Sequence, residues 1–142
     1  MKKILSIFFI LTTILIISRS TLASEYRSFI FNAEKNYFEA NLEGMNFEGA
    51  NLEGANFEKA RLDKANFKNA NLKNANFKKA DIENANFEGA NLEGANFEDA
   101  DLEESNLYNA NITGTIFKKA ELEYATWIDG QICAASSVGA CW

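Results

Sequence analysis

From Leu42 to Trp127 every fifth residue is large and apolar, at all 18 positions of the series. Two residues before each of them lies alanine in 15 cases, with Met45, Ser105 and Thr115 as the exceptions. Between the two lies asparagine in 12 cases, and Asp81 and Asp101 fill two more. The repeating unit is Ala-Asn-Leu/Phe-x-x. In an α-helix five residues rotate by about 500°, so the large side chains would spiral round the axis without forming a stripe. In a straight strand an odd spacing throws successive large residues onto opposite faces. The chain must therefore turn once per unit.

Alanine and the Leu or Phe that follows it lie two apart, so a short extended segment can point both the same way. A quarter turn per unit closes a square coil every four units, with both side chains inward. The two x residues then form the corner, where Gly44, Gly49, Gly54, Gly89, Gly94 and Gly114 suit a tight turn. A second regularity fits the square. Leu42, Leu62, Ile82, Leu102 and Leu122 stack in one column, with Leu52, Leu72, Leu92 and Ile112 opposite. Phe47, Phe67 and Phe87 face Phe57, Phe77, Phe97 and Phe117. Most coils thus hold two aliphatic and two aromatic plugs, which keeps the volume per layer constant, as close packing requires.

These Ala-(Asn/Asp)-Leu-x-x units, running from residue 35 to 129, resemble the pentapeptide-repeat family. The resemblance implies an all-β fold, a right-handed quadrilateral β-solenoid of about five coils. Handedness comes from the resemblance alone. At about 4.8 Å per stacked strand the rod would be roughly 23 Å long.

Residues 1–23 are of another kind. Lys2 and Lys3 precede an apolar run from Ile4 to Ile17, and Thr21-Leu22-Ala23 places small residues where a signal peptidase cuts before Ser24. The run has 14 residues, short of the roughly 20 that a spanning helix needs. The expectation is an exported protein, periplasmic or secreted, with no membrane attachment after cleavage. Cleavage would leave 11 basic against 20 acidic residues and a charge of −9. Residues 24–34, with Tyr26, Phe29, Ile30 and Phe31, are expected to cap the first coil, because open strand edges invite aggregation.

The repeat ends after Trp127, and residues 130–142 carry both cysteines. In an exported protein two cysteines normally pair, so Cys133 and Cys141 are expected to form a structural disulfide in a C-terminal cap. Closing so short a loop would stabilise by about 2–3 kcal/mol in the chain-entropy picture. The tail also resembles the endings of other exported bacterial members of the family. Near it the outward positions turn apolar, at Tyr108, Ile116, Tyr124 and Ile128. The tail's Ile132, Val138 and Trp142 are expected to cover this patch. The competing occupant is a second copy, giving a homodimer through the C-terminal end.

Solenoids bind through their outer faces. After the plugs, three columns alternate in sign or nearly so: Glu48-Lys68-Glu88, Glu58-Lys78-Glu98-Lys118 and Glu53-Lys73-Glu93-Thr113. Opposite charges stacked at strand spacing are mildly stabilising, so these columns are explained by the fold. The fourth, Glu43-Asp63-Glu83-Glu103-Glu123, is acidic in every coil and is the candidate interaction surface. It can be read as a cation or partner surface, as a mimic of a phosphate row, or as a solvated face.

The chain has no histidine, which removes the commonest general base and zinc ligand. No catalytic constellation, cofactor motif or metal set stands out, and the charge of −6 disfavours a phosphate-gripping nucleic-acid binder. The stacked asparagines are expected to form amide ladders. The reading is a non-enzymatic exported structural or interaction module whose protein partner is unknown. The alternative is a DNA mimic that protects or inhibits a topoisomerase such as gyrase, although export would separate it from a cytoplasmic target.

Overall fold

Five backbone N–H groups per unit must find acceptors, and the way they do so builds the coil. In the computed structural model, described for residues 35–141, the unit around Phe77 shows the pattern. Asn76 N–H donates backward to Ala55 O at 2.8 Å, and Phe77 N–H donates forward to Asn96 O at 2.7 Å. Lys79 N–H also reaches the next coil, at Glu98 O (3.0 Å), while Ala80 N–H closes the corner on Phe77 O at 3.0 Å. Lys78 N–H remains, and it donates to Asn76 Oδ1 at 3.2 Å. Asparagine recurs because its side chain accepts the one N–H that the coil leaves over.

Each strand is a single parallel bridge long. The bridges join residues one coil apart, from Asn36–Asn56 to Asn106–Thr126, which fixes the period at four units. The result is a four-sided β-solenoid. At each corner the second x residue is left-handed, with φ from 54° to 60° at Glu39, Lys59, Lys64, Asn69 and their equivalents. Glycine is thus not required at the corner: six of these sites use it, and the others accept the strain.

Alanine and the plugs fill the interior. Ala55 to Ala100 and the plugs from Phe47 to Leu107 are almost completely buried. Phe57, Phe77 and Phe97 stack at centroid separations of 4.8 and 4.7 Å with rings within 7° of parallel. Across the interior Phe77 meets Phe87 edge to face at 5.8 Å and 89°. Both are favoured aromatic geometries, so the coil spacing and the ring quadrupoles agree. Thr115, which replaces alanine, donates its hydroxyl to Leu92 O at 2.7 Å.

At the C-terminal end the Cys133–Cys141 disulfide forms. The tail runs back antiparallel to the last coil, pairing Val138 with Glu121 and Ile132 with Thr126. Leu122 N–H donates to Ser137 O and Cys133 N–H to Ala125 O, both at 2.9 Å. The tail therefore covers strand edge. Among the described residues it does not bury the apolar patch as the sequence suggested. Tyr108, Ile116 and Tyr124 remain 42%, 47% and 53% exposed, and Ile132 and Val138 are themselves exposed. The antiparallel pairing dictates this, since alternate side chains of an edge strand must point outward. Ile128 is partly buried against the core. The expected signal peptide and N-terminal cap, and Trp142, lie outside the described residues. Among the described residues no helix is long and apolar enough to cross a membrane.

Candidate functional site

Every unit presents two outward side chains on a face, the one before the plug and the one after it. On three faces the first is mainly asparagine, and its amide donates to the asparagine one coil back: Asn56 to Asn36 at 3.0 Å, Asn66 to Asn46 at 3.0 Å, Asn71 to Asn51 at 3.2 Å. These are the expected amide ladders. The same amides approach the carboxylate after the plug one coil back, as Asn76 does with Glu58 at 3.3 Å and Asn66 with Glu48 at 3.4 Å. The charges after the plugs also pair. Lys68 bonds Glu88 at 3.1 Å, Lys73 bonds Glu93 at 2.9 Å, and Glu98 lies between Lys78 at 2.6 Å and Lys118 at 2.8 Å. Hydrogen bonds from Lys118 and then Lys78 hold the Glu98 carboxyl down to about 2.

The fourth face differs at both positions. Its ladder column is Asn41-Arg61-Asp81-Asp101-Glu121, and its outer column is the acidic series Glu43, Asp63, Glu83, Glu103 and Glu123. The structure places all five of these on one face, as the sequence indicated. It also adds Asp81, Asp101 and Glu121 to them. That addition was legible, because the residues before and after a plug lie two apart and leave the same extended segment on the same side. It was overlooked because Asp81 and Asp101 match the motif as ordinary substitutes for asparagine.

Cationic relief on this face is confined to its first coils, where Arg61 lies 3.8 Å from Glu43 and 3.6 Å from Asp63. Beyond them, no ion pair is made by Asp81, Glu83, Asp101, Glu103, Glu121 or Glu123 among the described residues. Burial, contact with Asp63 and the charges of Asp63, Glu83 and Asp101 push the Asp81 carboxyl up to about 6. The Asp101 charge and then burial raise Glu83, and burial followed by the Asp101 charge raises Glu103. Glu123 has a separate role, accepting Ser136 N–H at 2.7 Å and tying down the tail. One carboxylate oxygen from each of Asp81, Glu83 and Asp101 lies within 4.8 Å of the others, as in Asp101, Glu103 and Glu121. Stacked like charges give this spacing without any ion, and no metal ligand is assigned.

A family model described as a pentapeptide repeat region matches residues 25–97 and 50–127. Among solved structures the chain is similar to HetL, a pentapeptide repeat protein involved in heterocyst differentiation regulation from the cyanobacterium Nostoc sp. strain PCC 7120. Identity is 36% and the TM-score 0.64, over 68% of this chain and 48% of HetL, so the chain spans about half the length of that relative. A second pentapeptide repeat protein from Nostoc PCC 7120 is 26% identical with a TM-score of 0.47, over 69% of this chain and 77% of that one. A pentapeptide repeat protein of the Arabidopsis thaliana thylakoid lumen is 25% identical with a TM-score of 0.42, over 75% of this chain and 84% of that one. A search of curated proteins returns no significant match.

Proposed function

The chain belongs to the pentapeptide-repeat family and has its right-handed quadrilateral β-helix, and from that premise we propose that it is a non-enzymatic, exported interaction module that docks a basic protein surface on its acidic face. One observation carries the reading. Three faces neutralise their own charges by stacking Lys on Glu, whereas the fourth concentrates carboxylates from Asp63 to Glu121 at strand spacing. Like charges directly opposed on a sheet are destabilising, so stability alone would favour alternation here too. A cationic partner would offset that repulsion and be steered toward the face.

The test is cross-linking capture from the exported fraction with the full chain. Glu83→Gln/Glu103→Gln should lose the captured protein, while Glu88→Gln/Glu93→Gln, on two self-paired faces, should keep it. Loss from both variants, or from neither, would overturn the assignment of the face. A supercoiling assay separates the topoisomerase alternative, since protection of gyrase by the same face would replace an exported partner with a DNA-mimic role.

A further inference from the structure

On the acidic face the ladder geometry creates a contact that lacks a hydrogen. Elsewhere the residue before the plug reaches back to the residue after the plug one coil earlier, and an amide N–H fills the gap: Asn66 to Glu48, Asn71 to Glu53 and Asn76 to Glu58, at 3.3 to 3.5 Å. The equivalent pair here is Asp81 and Asp63. The same backbone places them together, for Leu62 N–H donates to Asp81 O at 2.7 Å and Asp81 N–H to Ala60 O at 3.0 Å. Two carboxylates therefore occupy a slot built for an amide and an acceptor.

The Asp63 side chain is only 20% exposed, and its Oδ1 is shut off from solvent with no donor among the described residues. Arg61 approaches the other oxygen, Oδ2, at 3.6 Å. Asp81 also departs from its equivalents. Asp101 accepts the N–H of the residue two further on, Glu103, at 3.0 Å. Asp81 makes no such bond with Glu83 among the described residues, so its carboxyl is left facing Asp63. Asp101 and Glu83 repeat the arrangement one coil later, with carboxylate oxygens within 4.8 Å of each other.

We propose that Asp81 and Asp63 share a proton that takes the place of the amide hydrogen, making the acidic face a proton-dependent element of the coil. A buried acceptor without a donor costs free energy, and a protonated carboxyl supplies that donor. The groups facing the pair are Arg61, Glu83 and Asp101. Of these only Arg61 opposes proton uptake, and it approaches Oδ2 rather than the sealed Oδ1. One consequence rests on the docking role proposed above: acidification would lower the charge of the face and weaken its hold on a basic partner.

The direction follows from linkage. Asp81 in the folded chain titrates at about 6 against an ordinary value of 3.8, so the folded state binds the proton more tightly. Stability should be full below the unfolded value and fall as pH rises through about 6. The experiment compares the melting temperature of the full chain and of Asp81→Asn between pH 7.5 and 5, alongside carboxyl 13C titration of the unsubstituted chain by NMR. The unsubstituted protein should melt higher as the pH falls. Asp81→Asn carries its own amide hydrogen, so it should melt higher at pH 7.5 and respond less to pH. The Asp81 resonance should titrate near 6. Parallel melting curves for the two chains, or an Asp81 resonance titrating near 4, would overturn the proposal. Neither readout involves a partner, so its failure leaves the docking assignment intact, and failed capture leaves the shared proton intact.

Discussion

Asparagine in this chain does two jobs with one side chain. At Asn76 the oxygen accepts Lys78 N–H, and the amide hydrogens bridge to Asn56 and Glu58 in the coil before. Hence the position tolerates aspartate, which keeps the acceptor, but the bridge then needs another hydrogen. Inside, the register has an energetic consequence. Phe77 is fully buried and stacked on both neighbours, so Phe77→Ala should cost about 3–5 kcal/mol in denaturant melts. Glu83→Ala should be neutral or slightly stabilising at pH 7, because it relieves repulsion with Asp101. Equal losses from the two changes would mean that inside and outside have been exchanged. At the corner, Lys79 sits at φ 58°. Left-handed backbone costs a non-glycine residue about 1–2 kcal/mol, partly offset by the greater unfolded-state entropy of glycine. Lys79→Gly should therefore raise stability by up to about 1 kcal/mol, measured as a shift in denaturant midpoint.

Two elements of the solenoid should answer to different reagents. The ladder Lys78-Glu98-Lys118 holds its carboxylate far below the ordinary range. A depressed value means stability that is present above about 4.5 and lost as pH falls toward about 2. Glu98→Gln should flatten the acid limb of a melting-temperature profile below pH 4, in the window opposite to that of Asp81. Full retention of that limb would show that the stacked pair contributes nothing to acid sensitivity. The tail answers to reductant. Its bonds to Ala120, Leu122 and Ala125 satisfy strand edge, and the disulfide restricts the unfolded loop. Cys133→Ser/Cys141→Ser should melt lower by the equivalent of about 2–3 kcal/mol. Ending the chain at Asp129 should lower the melt further and promote self-association, since it bares edge groups beside Tyr108, Ile116 and Tyr124. A truncated chain that melts like the intact one and stays monomeric would show that the tail is not a cap.

For the molecule as a whole, location is the expectation on which the functional reading leans most. A tagged full-length protein should accumulate outside the cytoplasm with its N-terminus at or near Ser24, by mass spectrometry of the purified chain. An intact Met1–Ala23 segment on cytosolic protein would remove the case for an exported partner. The inward plugs were legible in the sequence, and the resemblance to the family supplied the four sides that stack the rings in columns. A five-residue period excludes straight elements, and alternation of Leu with Phe agrees with the twenty-residue coil that the bridges show. The amide ladders were equally legible, because a column of asparagines at strand spacing has few other uses. What the tertiary structure decided lies where one position has two readings. Asp81 is an ordinary substitute for asparagine in the motif. Only its placement beside Asp63, whose Oδ1 is sealed from solvent and has no donor among the described residues, shows a contact missing a hydrogen. The tail likewise had apolar residues and an apolar patch nearby, from which burial was the natural inference. Backbone pairing prevailed because an uncovered strand edge exposes N–H and C=O groups along its length, while scattered apolar side chains can remain in water at lower cost. Sequence periodicity therefore set the coil and its acidic face, and three-dimensional satisfaction of polar groups set its end and the contact between Asp81 and Asp63.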